Sequence, residues 1–117
     1  MDDKLQKALE FSNYRQTLNN QLRQLKVRTQ TQLIFAKHGG SFTIDQELIC
    51  FFNLIVTKKL KEVTVLDDNE VPILVTETTE FLDEITTRYF EVINDYYRDY
   101  QQIKKSRNVK SIVNLEV

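Results

Sequence analysis

The chain has 117 residues, 41% hydrophobic and 28% charged, with a formal net charge of −1. That is room for one domain with a modest core of its own, and it excludes wholesale disorder. The near-neutral balance argues against a chain that coats nucleic acid, and two glycines with one proline disfavour a turn-rich all-β fold.

A single cysteine, Cys50, leaves no internal disulfide and fits a reducing compartment. The start Met1-Asp2-Asp3 is acidic and no apolar run follows it, so no signal peptide is expected. The longest apolar stretch, 48–56, contains Asn53 and falls well short of the roughly 20 residues that cross a bilayer. A soluble, cytoplasmic protein without a membrane partner is the expectation.

Charge is unevenly laid out. Residues 2–37 hold seven Lys/Arg against three Asp/Glu, whereas 62–84 hold eight acids and no base. From Arg98 to Lys110 five bases face one acid. Banding of this kind points to complementary surfaces meeting within or between chains.

Residues 3–38 lack proline and contain no glycine, and they read as one helix. Leu18, Leu22, Leu25, Thr29, Leu33 and Ala36 recur at steps of four and three, which lines them on one face. Ala8 and Phe11 continue this seam upstream, Arg15 interrupts it, and Gln and Asn crowd the other faces. His38-Gly39-Gly40 is read as the helix end, glycine taking the left-handed cap cheaply. The alternative, an esterase oxyanion loop, lacks its Gly-x-Ser-x-Gly elbow.

Ser41 to Ile44 is a short extended piece, and Asp45 has the chemistry of an N-cap. Residues 46–60 are apolar around most of the helical circumference, so this segment is expected to be buried on most of it. Lys58, Lys59 and Lys61 suit the negative end of its dipole. Cys50 has apolar neighbours and reads as a packed core thiol, not a nucleophile.

Two β-branched runs, 63–66 and 71–75, flank Asp67-Asp68-Asn69-Glu70 and predict a β-hairpin. Pro72 sits at an edge or at the start of its strand, and 41–44 is a candidate third strand. The acidic turn holds only fragments of a calcium loop, so a hairpin tip is preferred to a metal site. Thr76, Thr78 or Thr79 caps a last helix that runs to about Arg107. Leu82, Ile85, Tyr89, Val92, Tyr96 and Ile103 keep a heptad seam that Asp99 alone breaks, with Tyr100 covering the gap. Phe81, Phe90, Ile93 and Tyr97 widen the apolar face, and Lys104, Lys105 and Arg107 sit at the C-terminal end. Residues 108–117 alternate loosely and are read as a tail, docked as a short strand or loose.

The expected fold is therefore α+β and mostly helical. Two long antiparallel helices carry a short buried helix and a small antiparallel β-hairpin or three-stranded sheet at one end. Residues 1–107 would form one elongated domain, because helices of about 52 and 44 Å exceed a globule of this length.

With one histidine and no nucleophile–base pair, no catalytic residue, metal ligand or cofactor site is assigned. Tyrosine offers large contact area at low entropic cost, so Leu18, Leu22, Leu25, Leu33, Tyr89, Tyr96, Tyr97 and Tyr100 are the candidate partner-binding residues. They pack either within the chain or against a homo-oligomeric or other protein partner. The alternative is a nucleic-acid-associated regulator gripping phosphates with Arg23, Lys26 and Arg28, although these fall on different sides of the helix and no nucleic-acid motif surrounds them.

The helix–hairpin–helix order over 5–37, 63–75 and 80–107 is similar in topology to prefoldin-type chaperone subunits, with the helix at 46–60 departing from that pattern. The run Gly40-Ser41-Phe42, the segment from Leu66 to Ile73 and the tyrosine-rich helix ending Lys104-Lys105-Ser106-Arg107 resemble small uncharacterised proteins of T4-like tailed bacteriophages. That resemblance spans most of the chain. It implies a virion, assembly or host-takeover factor, in the virion or the host cytoplasm, and it names no site.

Overall fold

A computed structural model describes the backbone of residues 2–116 and the side chains of residues 2–105. The fold is α+β and mostly helical: α1 (Asp3–Gln32), β1 (Ile34–Lys37), β2 (Gly40–Thr43), α2 (Gln46–Thr57), β3 (Val63–Leu66), β4 (Pro72–Val75) and α3 (Thr78–Glu116). The expected hairpin forms from β3 and β4, and the candidate third strand at 41–44 pairs instead with β1 in a second two-stranded antiparallel sheet. The chain divides into two compact units, 29–94 and the pair of segments 1–28 and 95–117.

The first helix is shorter than its periodicity suggests. It ends at Gln32, with Leu33 N–H closing back on the Gln30 carbonyl (3.2 Å). The chain then runs out along β1 and back along β2 in a hairpin, pairing Phe35 with Phe42 and Lys37 with Gly40. His38 (φ 56°) and Gly39 (φ 80°) are its two turn residues, both at positive φ, and not a helix cap. Positive φ at both central positions matches the twist of the flanking strands. The extended piece at 41–44 thus pairs backward with β1.

Asp45 caps α2 as expected, its carboxylate accepting from Leu48 N–H (2.7 Å). The helix stops at Thr57, three residues early, in a hydrogen-bonded C-terminal motif. Lys59 N–H donates to the Val56 carbonyl and Leu60 N–H to the Ile55 carbonyl, with Lys59 at φ 61°. Glycine normally fills this left-handed position. Lys59→Gly is expected to raise stability by about 0.5–1 kcal/mol, measured by urea denaturation, because it relieves the Cβ–carbonyl crowding.

The core lies in the 29–94 unit and draws on every element there. Phe42, Ile44, Phe52, Ile55, Val65, Ile73, Val75, Phe81 and Ile85 are all buried. Phe81 stands at its centre, its ring 4.3 Å from Phe52, 5.3 Å from Phe42 and 5.7 Å from Phe35 between centroids. Leu33, Leu82 and Tyr89 pack around this cluster.

α2 buries one side only, through Phe52 and Ile55, while Phe51 and Leu54 are exposed. Cys50 is exposed too, so the core-thiol reading is corrected. The reason is geometric: an apolar residue is covered only where another element reaches it, and the core touches a single face of this helix.

Thr78 begins α3, but its hydroxyl donates to the Leu60 carbonyl (2.6 Å) instead of accepting as a cap. Lys37 and Glu84 form an ion pair, and Arg88 donates to the Gln32 carbonyl (3.2 Å). The helix carries on past the expected end at Arg107. Docking of the apolar side chains of 108–117 lies outside the described residues.

Candidate interaction surfaces

The β3–β4 ribbon owes its placement to its turn. Asp67 N–H donates to the Val71 carbonyl (3.0 Å), Glu70 N–H to the Asp67 carbonyl (3.0 Å), and Glu70 lies at φ 62°. The Asp67 carboxylate collects three backbone donors, from Ser41 (3.1 Å), Asn69 (2.9 Å) and Val71 (2.9 Å). Next to it the Asp68 carboxylate takes the Thr43 N–H (3.2 Å) and hydroxyl (2.7 Å), and Asp68 N–H donates to the Ser41 carbonyl (2.8 Å). The acidic tip therefore staples the second hairpin to β2 of the first. Among the described residues no three His, Cys, Asp or Glu side chains gather as a metal site.

The N–H groups of Ser41, then Val71, then Asn69 hold the Asp67 carboxyl below its ordinary range, with burial opposing them. The ionised form is thus favoured in the fold, and its stabilisation is complete above the unfolded value of about 3.9. It is lost as pH falls below about 4 toward the depressed folded value. Asp67→Ala is expected to lower the melting temperature at neutral pH and to flatten the acid limb of a stability–pH curve. Asp67→Asn, which keeps one acceptor oxygen, should lie between the two.

Period-two alternation sends Val63, Val65, Ile73 and Val75 toward the core and Thr64, Leu66, Pro72 and Leu74 outward. Leu66 pairs across the ribbon with Pro72, and Thr64 with Leu74. Leu66 is 65% exposed and Leu74 54%, with Val71 exposed at the tip. These residues were absent from the candidates read from sequence. Consecutive apolar residues in a strand read as cover on both faces, so the sequence carried no signal that Leu66 and Leu74 would stay in water.

A second apolar area in this unit is the α2 flank of Phe51 and Leu54. Tyr89 lies half-buried on the core, its hydroxyl accepting from the Gln46 side-chain amide (3.2 Å), and Leu33 is likewise half-buried there.

In the other unit Leu18 and Leu25 are buried and Leu22 is half-buried, so the leucine seam faces inward within its own chain. Tyr96 and Tyr100 are half-buried, with ring centroids 6.0 Å apart, whereas Tyr97 is 66% exposed. Asp99, the residue that breaks the heptad seam, accepts from Arg28 (3.0 Å) and lies 3.5 Å from the Arg98 guanidinium. Arg98 also reaches Asp95 (3.4 Å). Gln21, Gln24, Leu25, Arg28, Asp99, Gln102 and Ile103 line a shallow polar groove around this pair. Of the three basic candidates, Arg28 is therefore engaged, while Arg23 and Lys26 are exposed. Leu5, Leu9, Phe11 and Val27 are exposed on α1.

Among the described residues no helix is long and apolar enough to cross a membrane. Neither a family model, nor a curated protein, nor a solved structure matches this chain.

Proposed function

We propose that this chain is a non-catalytic assembly protein that associates with other protein chains, copies of itself included. The observation that carries the reading is the outer face of the β3–β4 ribbon. Leu66, Pro72 and Leu74 stand together in water on a strand pair pinned to the core from behind. Folded monomers seldom leave contiguous apolar surface uncovered on a rigid element. Each strand of a two-stranded sheet also has one edge without a strand beside it.

The ribbon face suits an isologous contact, in which the same face serves both partners around a two-fold axis. The association surface thus moves from the leucine seam, which the chain covers itself, to the ribbon and to exposed rings such as Tyr97 and Phe51. Assembly of this kind is also what the resemblance to small tailed-phage proteins implies.

Light scattering on a sizing column tests the reading with the double variant L66S/L74S. The wild-type chain is expected to exceed its 13.9 kDa monomer mass at about 100 µM, a concentration at which weak isologous contacts populate, and the variant to approach it. Equal masses for the two would refute a role for this face. Both substitutions are exposed, so stability should change by only about 0.5 kcal/mol.

A further inference from the structure

Several exposed charged side chains form no ion pair among the described residues, Lys4 and Lys7 on α1 and Arg88 on α3 included. Arg15, Arg23 and Lys26 on α1 are exposed and form no ion pair among the described residues; the same holds for Glu80, Asp83 and Glu91 on α3. Their neighbours are neutralised: Glu84 by Lys37, Arg28 by Asp99, Asp95 by Arg98.

The spacings of the two sets are mirror images. Arg15, Arg23 and Lys26 stand eight and then three residues apart, and Glu80, Asp83 and Glu91 three and then eight. At 100° per residue each set falls within an arc of about 80° and spans about 16 Å of helix. Laid antiparallel, Lys26 meets Glu80, Arg23 meets Asp83 and Arg15 meets Glu91 in a single register. Between them the same register sets Asn19 opposite Thr87, two short polar side chains at the middle of the contact. On α3, Asp83 and Glu91 line a shallow open groove with Phe35, Glu84, Thr87 and Arg88, the last turned to the Gln32 carbonyl; Glu80 lies outside it.

We propose that the acidic strip Glu80-Asp83-Glu91 of one copy receives the basic strip Arg15-Arg23-Lys26 of a second copy, the two helices running antiparallel. The occupant is a second copy because this chain itself carries the complementary charges at the complementary spacing. The contact is heterologous, distinct from a face-to-face pairing of ribbons, so together the two build assemblies larger than a dimer. It deepens the assembly reading and rests on it, and its charges set partner register and encounter rate more than affinity. Exposed pairs of this kind are screened within about 8 Å at physiological salt, so the contact weakens as salt rises.

Sedimentation equilibrium of the full chain with charge reversals tests it. The two variants are R15E/R23E/K26E and D83K/E91K, each expected to lose at least tenfold of the salt-sensitive association. An equimolar mixture should recover it to within about threefold of wild type, since each variant supplies the strip the other lacks. Failure of the mixture to recover, association of either variant like wild type, or no salt-sensitive association in wild type overturns the proposal. If a reversed chain does not fold, judged by circular dichroism, the neutral substitutions R15Q and E91Q read the same contact. Each is expected to weaken it about threefold, and no weakening again overturns it. Ribbon-mediated association survives in high salt and responds to L66S/L74S, so failure of one contact is told from failure of the other.

Discussion

Phe81→Ala is expected to destabilise the chain by about 3–5 kcal/mol, the largest loss from any single side chain here. Phe81 is fully buried and is the ring that Phe35, Phe42 and Phe52 share. Those partners come from β1, β2 and α2, and Phe81 itself from the first turn of α3. Truncation therefore removes both the transfer energy of one ring and the packing of three others, whose backbones are anchored in separate elements and cannot close on the void. Urea denaturation gives the value directly. Phe90→Ala, nine residues along the same helix and exposed, serves as the control and should change stability by about 0.5 kcal/mol or less. A loss below about 1 kcal/mol for Phe81→Ala would mean that the aromatic cluster is not the centre of the fold.

Gly40→Ala is expected to cost about 1–3 kcal/mol through overpacking. A Cβ at this position would lie 2.7 Å from Ile73 Cγ1 and 3.0 Å from its Cδ1. Gly40 opens β2 and Ile73 belongs to β4, so the glycine sets how closely the two hairpins approach. Ile73 is itself buried in the core and has little room to withdraw. A double-mutant cycle identifies the cause: if the clash is responsible, Gly40→Ala/Ile73→Ala should be less destabilised than the sum of its parts by about 1 kcal/mol or more. Strict additivity would place the cost elsewhere, in the backbone of the His38-Gly39 turn.

Why the sequence discloses some of this architecture and hides the rest follows from period and length. The α3 seam is legible because Ile85, Tyr89, Val92 and Tyr96 repeat over enough turns to distinguish a period of 3.6 from one of two. The β3–β4 ribbon is legible for its β-branched runs and turn residues, and Asp45 for its place before an apolar run. The end of α1 is not. Over Leu33-Ile34-Phe35-Ala36-Lys37, the helical reading through Leu33 and Ala36 and the strand reading through Phe35 and Lys37 are equally consistent, and what favours the strand is the pairing with Phe42. His38-Gly39 fits a helix end and a two-residue hairpin turn alike, both of which call for positive φ.

Burial around α2 was hidden for a different reason. Its composition is apolar on every side, so pattern alone cannot say that Phe52 and Ile55 face the core while Cys50, Phe51 and Leu54 face water. The same limit applies to the partner-binding candidates. Leu18 and Leu25 have the chemistry of an interface, but their own chain covers them, whereas Leu66 and Leu74 are among the apolar residues left in water. Asp99 reads as a flaw in the seam until Arg28 is seen to answer it from 71 positions away.

Sedimentation equilibrium of the unmodified chain between about 1 and 200 µM tests the association claim most directly, a range that brackets micromolar contacts. The weight-average mass is expected to climb with concentration to at least twice 13.9 kDa. A mass that stays at 13.9 kDa across the whole range would contradict the account.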